Sequence, residues 1–202
     1  MPRTQEQNEI IRNESISKIL LASLYLFANK GYDATTLDEI AKVAGCSHGL
    51  LYHYFKDKYT LYSHLVNEVC FPSIRSKTMT INTEQKAKFV LRDLLSLFIK
   101  NLKSEDDKYS WAVNLLISID LSVVDGTKTI RVSKEKNDKI FHWLNALIER
   151  GQQEGDFSAS KNSRELTAMI IYIMKGMAYI RMKLGYKKFI SPDVGIIMDM
   201  VL

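Results

Sequence analysis

Between Ser47 and Phe55 the chain reads SHGLLYHYF, and its polar members are suited to holding a ligand rather than transforming one. Ser47, His48, Tyr52 and His53 offer hydroxyl and ring N–H donors, and Gly49 would let the backbone approach a ligand closely. No carboxylate lies between Ser47 and Phe55, and Lys56 and Lys58 follow with positive charge. Donors of this kind meet phosphate oxygens and the acceptors on base edges. The segment therefore suits a polyanion.

The elements that must position these groups can be read from caps and spacing. Thr36 begins TLDE, a threonine N-cap with Glu39 three places on, which is a capping box. The short helix it opens turns Leu37, Ile40, Ala41 and Ala44 inward and stops at Gly45. Ser47 can cap a second short helix over 48–54, whose core demands are met by Leu51 and Phe55. Two short helices joined by a glycine-containing turn form a helix-turn-helix, and Ala41, Ala44, Gly45 and Cys46 are small enough for a steep crossing. In such a unit the second helix enters a DNA major groove with its amino-terminal residues toward the bases. The helix starts at Thr36 and Ser47 also present free amides that can meet phosphates. Adjacent residues on one helix cannot all face one core, which leaves Tyr52 and His53 available to a ligand while Tyr54 and Phe55 pack.

Upstream, Ile16, Ile19, Leu20, Ser23, Leu24 and Phe27 recur at helical spacing, predicting a helix over 10–30 that ends at Gly31. Asp57 can cap a fourth helix carrying Leu61, Leu65, Val66 and Val69 and ending before Pro72. Further helices are expected over 84–103, 108–121, 133–154 and 163–184, with a last one opening at Ser191 and Pro192. No run alternates with period two. The chain is expected to be all-α: an N-terminal three-helix helix-turn-helix domain (1–60), joined by a connecting helix to a larger helical bundle (61–202).

The totals agree with helix and exclude several classes. The chain has 202 residues with only nine glycines and three prolines. Its net charge of +5 sits at the wrong end for a simple electrostatic reading: residues 1–60 balance at zero, and 161–202 carry seven basic against three acidic residues. Cys46 and Cys70 match no disulfide or zinc pattern. The run after Lys18 lacks a basic leader and a cleavage site, and no apolar run reaches the length of a membrane span, so a cytoplasmic protein is expected. Tyr54 and Lys58 satisfy a Tyr-x-x-x-Lys spacing that short-chain dehydrogenases also use, but no glycine-rich phosphate loop follows a strand. His48, His53, His64 and His142 supply no pair at i, i+4. No enzyme, metal or cofactor is expected.

Residues 15–66 resemble the DNA-binding domain of the TetR family of bacterial transcriptional regulators, through LFANKGYDATTLDEIAKVAGCSHGLLYHYFKDKYTLY. The segment LIERGQQEGDF (147–157) is similar to the family's penultimate bundle helix and its exit. The resemblance implies phosphate-backbone contacts from Thr36, Ser47, Gly49, Tyr52 and Lys58, and base contacts from His48 and His53. A histidine at 48, a position often basic or variable in the family, leaves base preference open. The resemblance also implies a homodimer through the helices near 136–154 and 163–184. Two-fold symmetry is what a pair of recognition helices needs to reach half-sites about 34 Å apart. The neutral balance of the first domain suggests modest non-specific affinity, with the dimer and helix dipoles supplying much of the binding.

The stretch RELTAMIIYIMKGMAYIRMKLG is apolar on more than one face: Leu166, Ile170, Ile173, Met177, Ile180 and Leu184 form one stripe, Ile171, Met174 and Ala178 another. Such a helix is buried on more than one side. Phe89, Phe98, Trp111, Asn114, Ser118, Met169 and Tyr172 could line an effector pocket, or simply fill the core. The function expected is a ligand-responsive regulator, most simply a repressor that binds a palindromic double-stranded DNA operator as a homodimer and is released by a small, largely apolar effector. The competing expectation is a helical adaptor that does not bind DNA sequence-specifically. No membrane partner is expected.

Overall fold

The computed structural model describes residues 4–70, 83–121 and 128–202, with side chains described outside 116–137. Among the described residues the ordered elements are all helical. They are α1 (Gln5–Lys30), α2 (Leu37–Ala44), α3 (His48–Tyr54), α4 (Lys58–His64), α5 (Ala87–Leu102), α6 (Lys108–Leu121), α7 (Lys128–Gln153), α8 (Ser163–Leu184) and α9 (Val194–Met198). A π-helical turn, Leu65–Cys70, continues α4.

Helix α1 starts well before the expected residue 10. Thr4 and Gln7 form a reciprocal capping box, while the first buried residue of the helix is Ile19. Its opening turns therefore carry no apolar stripe that periodicity could detect. The last helix also differs from expectation: Asp193 caps it, accepting from the Gly195 N–H, so neither Ser191 nor Pro192 begins it.

Two cores form. Ile19, Phe27, Ile40, Leu51, Phe55, Leu61, Tyr62, Leu65 and Cys70 meet in the first, joined by Ala112 and Leu115 from α6. Residues 61–70 thus pack with the helices that precede them. In the second, α5 contributes Val90, Leu91, Leu95 and Phe98, α7 contributes Leu144 and Ile148, and α8 contributes Leu166, Ile170 and Ala178. Each fully buried Leu, Ile or Phe side chain contributes about 1.5–3 kcal/mol relative to exposure.

The bundle is fastened at several helix ends by polar groups distant in sequence. Glu154 accepts from the Ala87 N–H, satisfying an orphan donor at the start of α5. The carboxyl of Asp156 is held below its usual range, first by the Lys88 hydrogen bond and further by Lys86. Gly151 lies against the Phe157 ring so closely that any Cβ there would run into it. The exit of α7 is therefore shaped by a glycine. Beyond α9, Val201 is fully buried and its carbonyl accepts from the Ser158 N–H at 3.0 Å.

Helix α6 belongs to both cores. Its Asn114 amide donates to the Ser110 carbonyl and, at 2.9 Å, to the Ala178 carbonyl of α8. On its other side the Trp111 ring meets Tyr25 of α1 edge-on, with centroids 5.3 Å apart.

Candidate nucleic-acid interface

The local geometry around the helix-turn-helix follows from its caps. Thr36 Oγ1 accepts from the Glu39 N–H at 3.2 Å, and Glu39 accepts from the Thr36 N–H at 3.1 Å. The Glu39 carboxyl lies below its ordinary range, chiefly because Lys30 donates to it and then because of the Thr36 N–H. Gly45 takes the left-handed conformation, with φ at 66°, and the following Cys46 N–H returns to the Ala41 carbonyl. A side chain at Gly45 would add about 1–2 kcal/mol of backbone strain. Ser47 then caps α3, accepting from the Leu50 N–H at 3.2 Å.

Leu51 and Phe55 are buried, and they fix which way α3 faces. Ser47, His48, Gly49, Tyr52 and His53 are left exposed, Tyr52 at 45%. A Cβ on Gly49 would meet nothing within the chain, so no internal contact requires a glycine there. Tyr54 is half-buried against the first core.

Thr36, His48, Tyr52 and Lys58 share one open cleft of about 320 Å³ with Asp33, Thr35, Leu37 and Asp38. His53 lies in a second cleft, between α1, the end of α3 and α4. Ser47 and Gly49 line neither.

Two of the expected contact residues have intramolecular partners that sequence reading missed. His48 Nε2 stands 2.6 Å from the Asp38 carboxylate, and its ring lies 4.5 Å from that of Tyr52. The acid-free stretch around α3 is acid-free only along the chain, because α2 folds Asp38 against it. Both partners are exposed, so the pair stabilises little and acts mainly to orient the imidazole.

Lys58 is the larger correction. Its ammonium donates to the Tyr32 carbonyl at 2.9 Å and the Thr35 carbonyl at 3.0 Å, approaches that of Asp33, and lies 4.3 Å from the Tyr32 ring centre. Its donors close the loop between α1 and α2 and are not free for a phosphate. Lys58→Gln is expected to lower stability by about 1.5–3 kcal/mol, the range for hydrogen bonds to a charged group, with little change in the salt dependence of DNA binding. Thermal melting and a salt titration read the two effects separately.

At the next corner Asp57 caps α4, accepting from the Thr60 N–H at 2.6 Å. That bond is the first cause holding its carboxyl below the ordinary range. The cap is therefore complete at neutral pH and is lost as acid protonates the group through that lowered range.

Residues 19–65 match the model of the bacterial regulatory proteins, tetR family. Over these residues the chain is similar to the TetR family. A relative along nearly its whole length is the HTH-type transcriptional regulator AcrR of Shigella flexneri, 26% identical, with 94% of this chain and 90% of AcrR covered. The biofilm operon icaADBC HTH-type negative transcriptional regulator IcaR of Staphylococcus aureus (strain Newman) is 29% identical over 46% of this chain and 48% of its own. Among solved structures, the FadR regulator of Bacillus subtilis in complex with stearoyl-CoA superposes with a TM-score of 0.65 at 22% identity, covering 91% of this chain and 96% of FadR. That likeness concerns the fold.

The described residues expected to line an effector pocket do not converge. Phe98 is buried in the second core, with half-buried Met169 packed against it. Trp111 packs with the first core, and Asn114 is buried with its amide already bonded to two carbonyls. Phe89 and Tyr172 are corrections: they are 41% and 69% exposed and face outward. Helical spacing reveals that a face is apolar but not whether it meets the interior or the outside. The Ser118 side chain lies outside the described residues. No helix among those described is long and apolar enough to cross a membrane, and no His, Cys, Asp and Glu cluster among them could hold a metal ion.

Proposed function

We propose that this protein is a ligand-responsive repressor of the TetR family that binds a palindromic operator as a homodimer and is released by a small, largely apolar effector. The observation that carries the reading is the outer face of α3, where Tyr52 and its neighbours are held outward by buried Leu51 and Phe55 and have no core role. In this reading Thr36, Ser47, Gly49 and Tyr52 meet phosphates, while His48 and His53 meet bases. Residues 1–60 meet the DNA, and 61–202 dimerise and take the effector, in the cytoplasm where the chromosome lies.

Dimerisation is supported by exposed apolar side chains on α7 and α8, among them Trp143, Tyr172, Tyr179, Ile180 and Leu184. An apolar surface of this kind marks an interaction face. Repression accords with the name of IcaR, and an apolar effector with the stearoyl-CoA complex of FadR. Helix α6 supplies a route between the two functions, since it is bonded to α8 through Asn114 and packs on α1 through Trp111. An effector that favours one placement of α6 would bias the separation of the two recognition helices, to the extent that its affinity differs between the two states.

The test is fluorescence-anisotropy binding to DNA upstream of the protein's own gene against scrambled DNA, at two salt concentrations. At least about tenfold preference for the upstream fragment supports the reading. Absence of binding, even to fragments selected from random DNA, would favour the adaptor. Equal effector affinity for free and DNA-bound protein would rule out the coupling.

A further inference from the structure

We infer that the cleft between α1, the end of α3 and α4 is a second DNA contact, a site for the phosphate backbone built on Arg12, Thr60 and His64 and bordered by the base-facing His53. The inference rests on the DNA-binding reading above.

The cleft encloses about 680 Å³ and is open on one side. Ile16, Tyr54 and Phe55 form its apolar part, and Arg12, His53, Thr60 and His64 its polar part. Every polar side chain lining it except the Tyr54 phenol and the Thr60 hydroxyl is a guanidinium or an imidazole, and no carboxylate lines it. The Asp57 carboxylate, close in sequence, is turned onto the Thr60 N–H. Glu9 and Glu68, a turn from Arg12 and from His64, do not line it either. The His64 ring is held 5.6 Å from that of Phe55, and the His53 ring 5.1 Å from that of Tyr54.

The contrast with the neighbouring cleft decides the occupant. There His48 and Tyr52 stand beside Asp33 and Asp38, and the Lys58 ammonium is taken up by the Tyr32 and Thr35 carbonyls, so the cleft has no free cation of its own for a phosphate. Residues 1–60 have no net charge, so attraction to DNA must come from where the charges lie. The second cleft gathers positive and donor groups without a lining acid, and it adjoins the exposed face of α3 through His53. Between half and two-thirds of protein–DNA hydrogen bonds go to phosphate and sugar, and a guanidinium matches phosphate bidentately. Arg12 is exposed, on the part of α1 that precedes its first buried residue, Ile19.

A backbone contact carries no sequence information, so its loss must show equally on an operator and on random DNA. Binding of a random-sequence duplex and of the selected operator is followed by anisotropy over a salt series, for wild type, Arg12→Gln, Arg12→Lys and His64→Gln. Arg12→Gln is expected to weaken both duplexes by the same factor. It should also flatten the plot of log affinity against log salt by about 0.9 for each phosphate that is no longer neutralised. Arg12→Lys keeps most of the slope, and His64→Gln weakens both duplexes without altering their ratio. Matching melting curves establish that the variants are folded. A wild-type slope in Arg12→Gln overturns the site, as does a weakening confined to the operator. Failure of the wild type to bind any duplex would instead remove the DNA-binding reading itself.

Discussion

Replacing Tyr52 and His53 together by alanine is expected to abolish the preference for operator over scrambled DNA while leaving the protein folded. Both side chains are exposed on α3, and the helix is held to the core by Leu51 and Phe55, which the substitution does not touch. A side chain that reads a base contributes about 1–3 kcal/mol of discrimination. In a dimer each such reading is made twice, so removing even one weak one per subunit amounts to roughly 30-fold in affinity. Alanine also favours helix, so α3 itself should not suffer. The measurement is operator and scrambled-DNA affinity side by side, with a melting curve for each protein. Unchanged operator binding in the double mutant would sink the assignment of α3 as the recognition helix.

The second large effect concerns Arg181, which is 1% exposed near the carboxyl end of α8. Its Nε donates to the Leu102 carbonyl at 2.6 Å and its Nη2 to the Ser104 carbonyl at 2.7 Å. Its Nη1 stands 2.7 Å from an Asp107 oxygen, a charge contact that is not aligned as a hydrogen bond. One guanidinium thus satisfies carbonyls orphaned at the end of α5 and holds the corner from which α6 departs. Arg181→Met keeps the apolar volume but leaves those groups unpartnered.

Removing one partner of a buried charged pair costs about 3–5 kcal/mol, and the lower end applies because Asp107 is 42% exposed and can return to water. In a chain of this size each kcal/mol moves the melting temperature by about 2–4 °C, so a fall of roughly 6–12 °C is expected at fixed protein concentration. A melting temperature within about 2 °C of wild type would show that the clamp contributes nothing net.

Much of the helix-turn-helix was readable because its determinants are local. Thr36 and Glu39 are three residues apart, Ser47 caps the Leu50 N–H three residues on, and Gly45 sits where the chain must turn left-handed. Leu51 and Phe55, one turn apart, determine which side of α3 is inward, and the donors on the other side follow. The early start of α1 escaped because Thr4 and Gln7 begin it without an apolar stripe behind them.

The chain by itself determined helix type, capping, the turn and the identity of the outward donors, since each depends on neighbours within about one helical turn. Tertiary structure decided what those donors stand beside. Packing α2 against α3 brings Asp38 to His48, and the fourth helix carries Lys58 back across 26 residues to the Tyr32 carbonyl. The same folding gathers Arg12, His53 and His64 into one cleft and sends Arg181 to a carbonyl 79 residues away. Electrostatic and hydrogen-bonding partners act over a few ångströms of space regardless of separation along the chain, and only the packed helices set those distances.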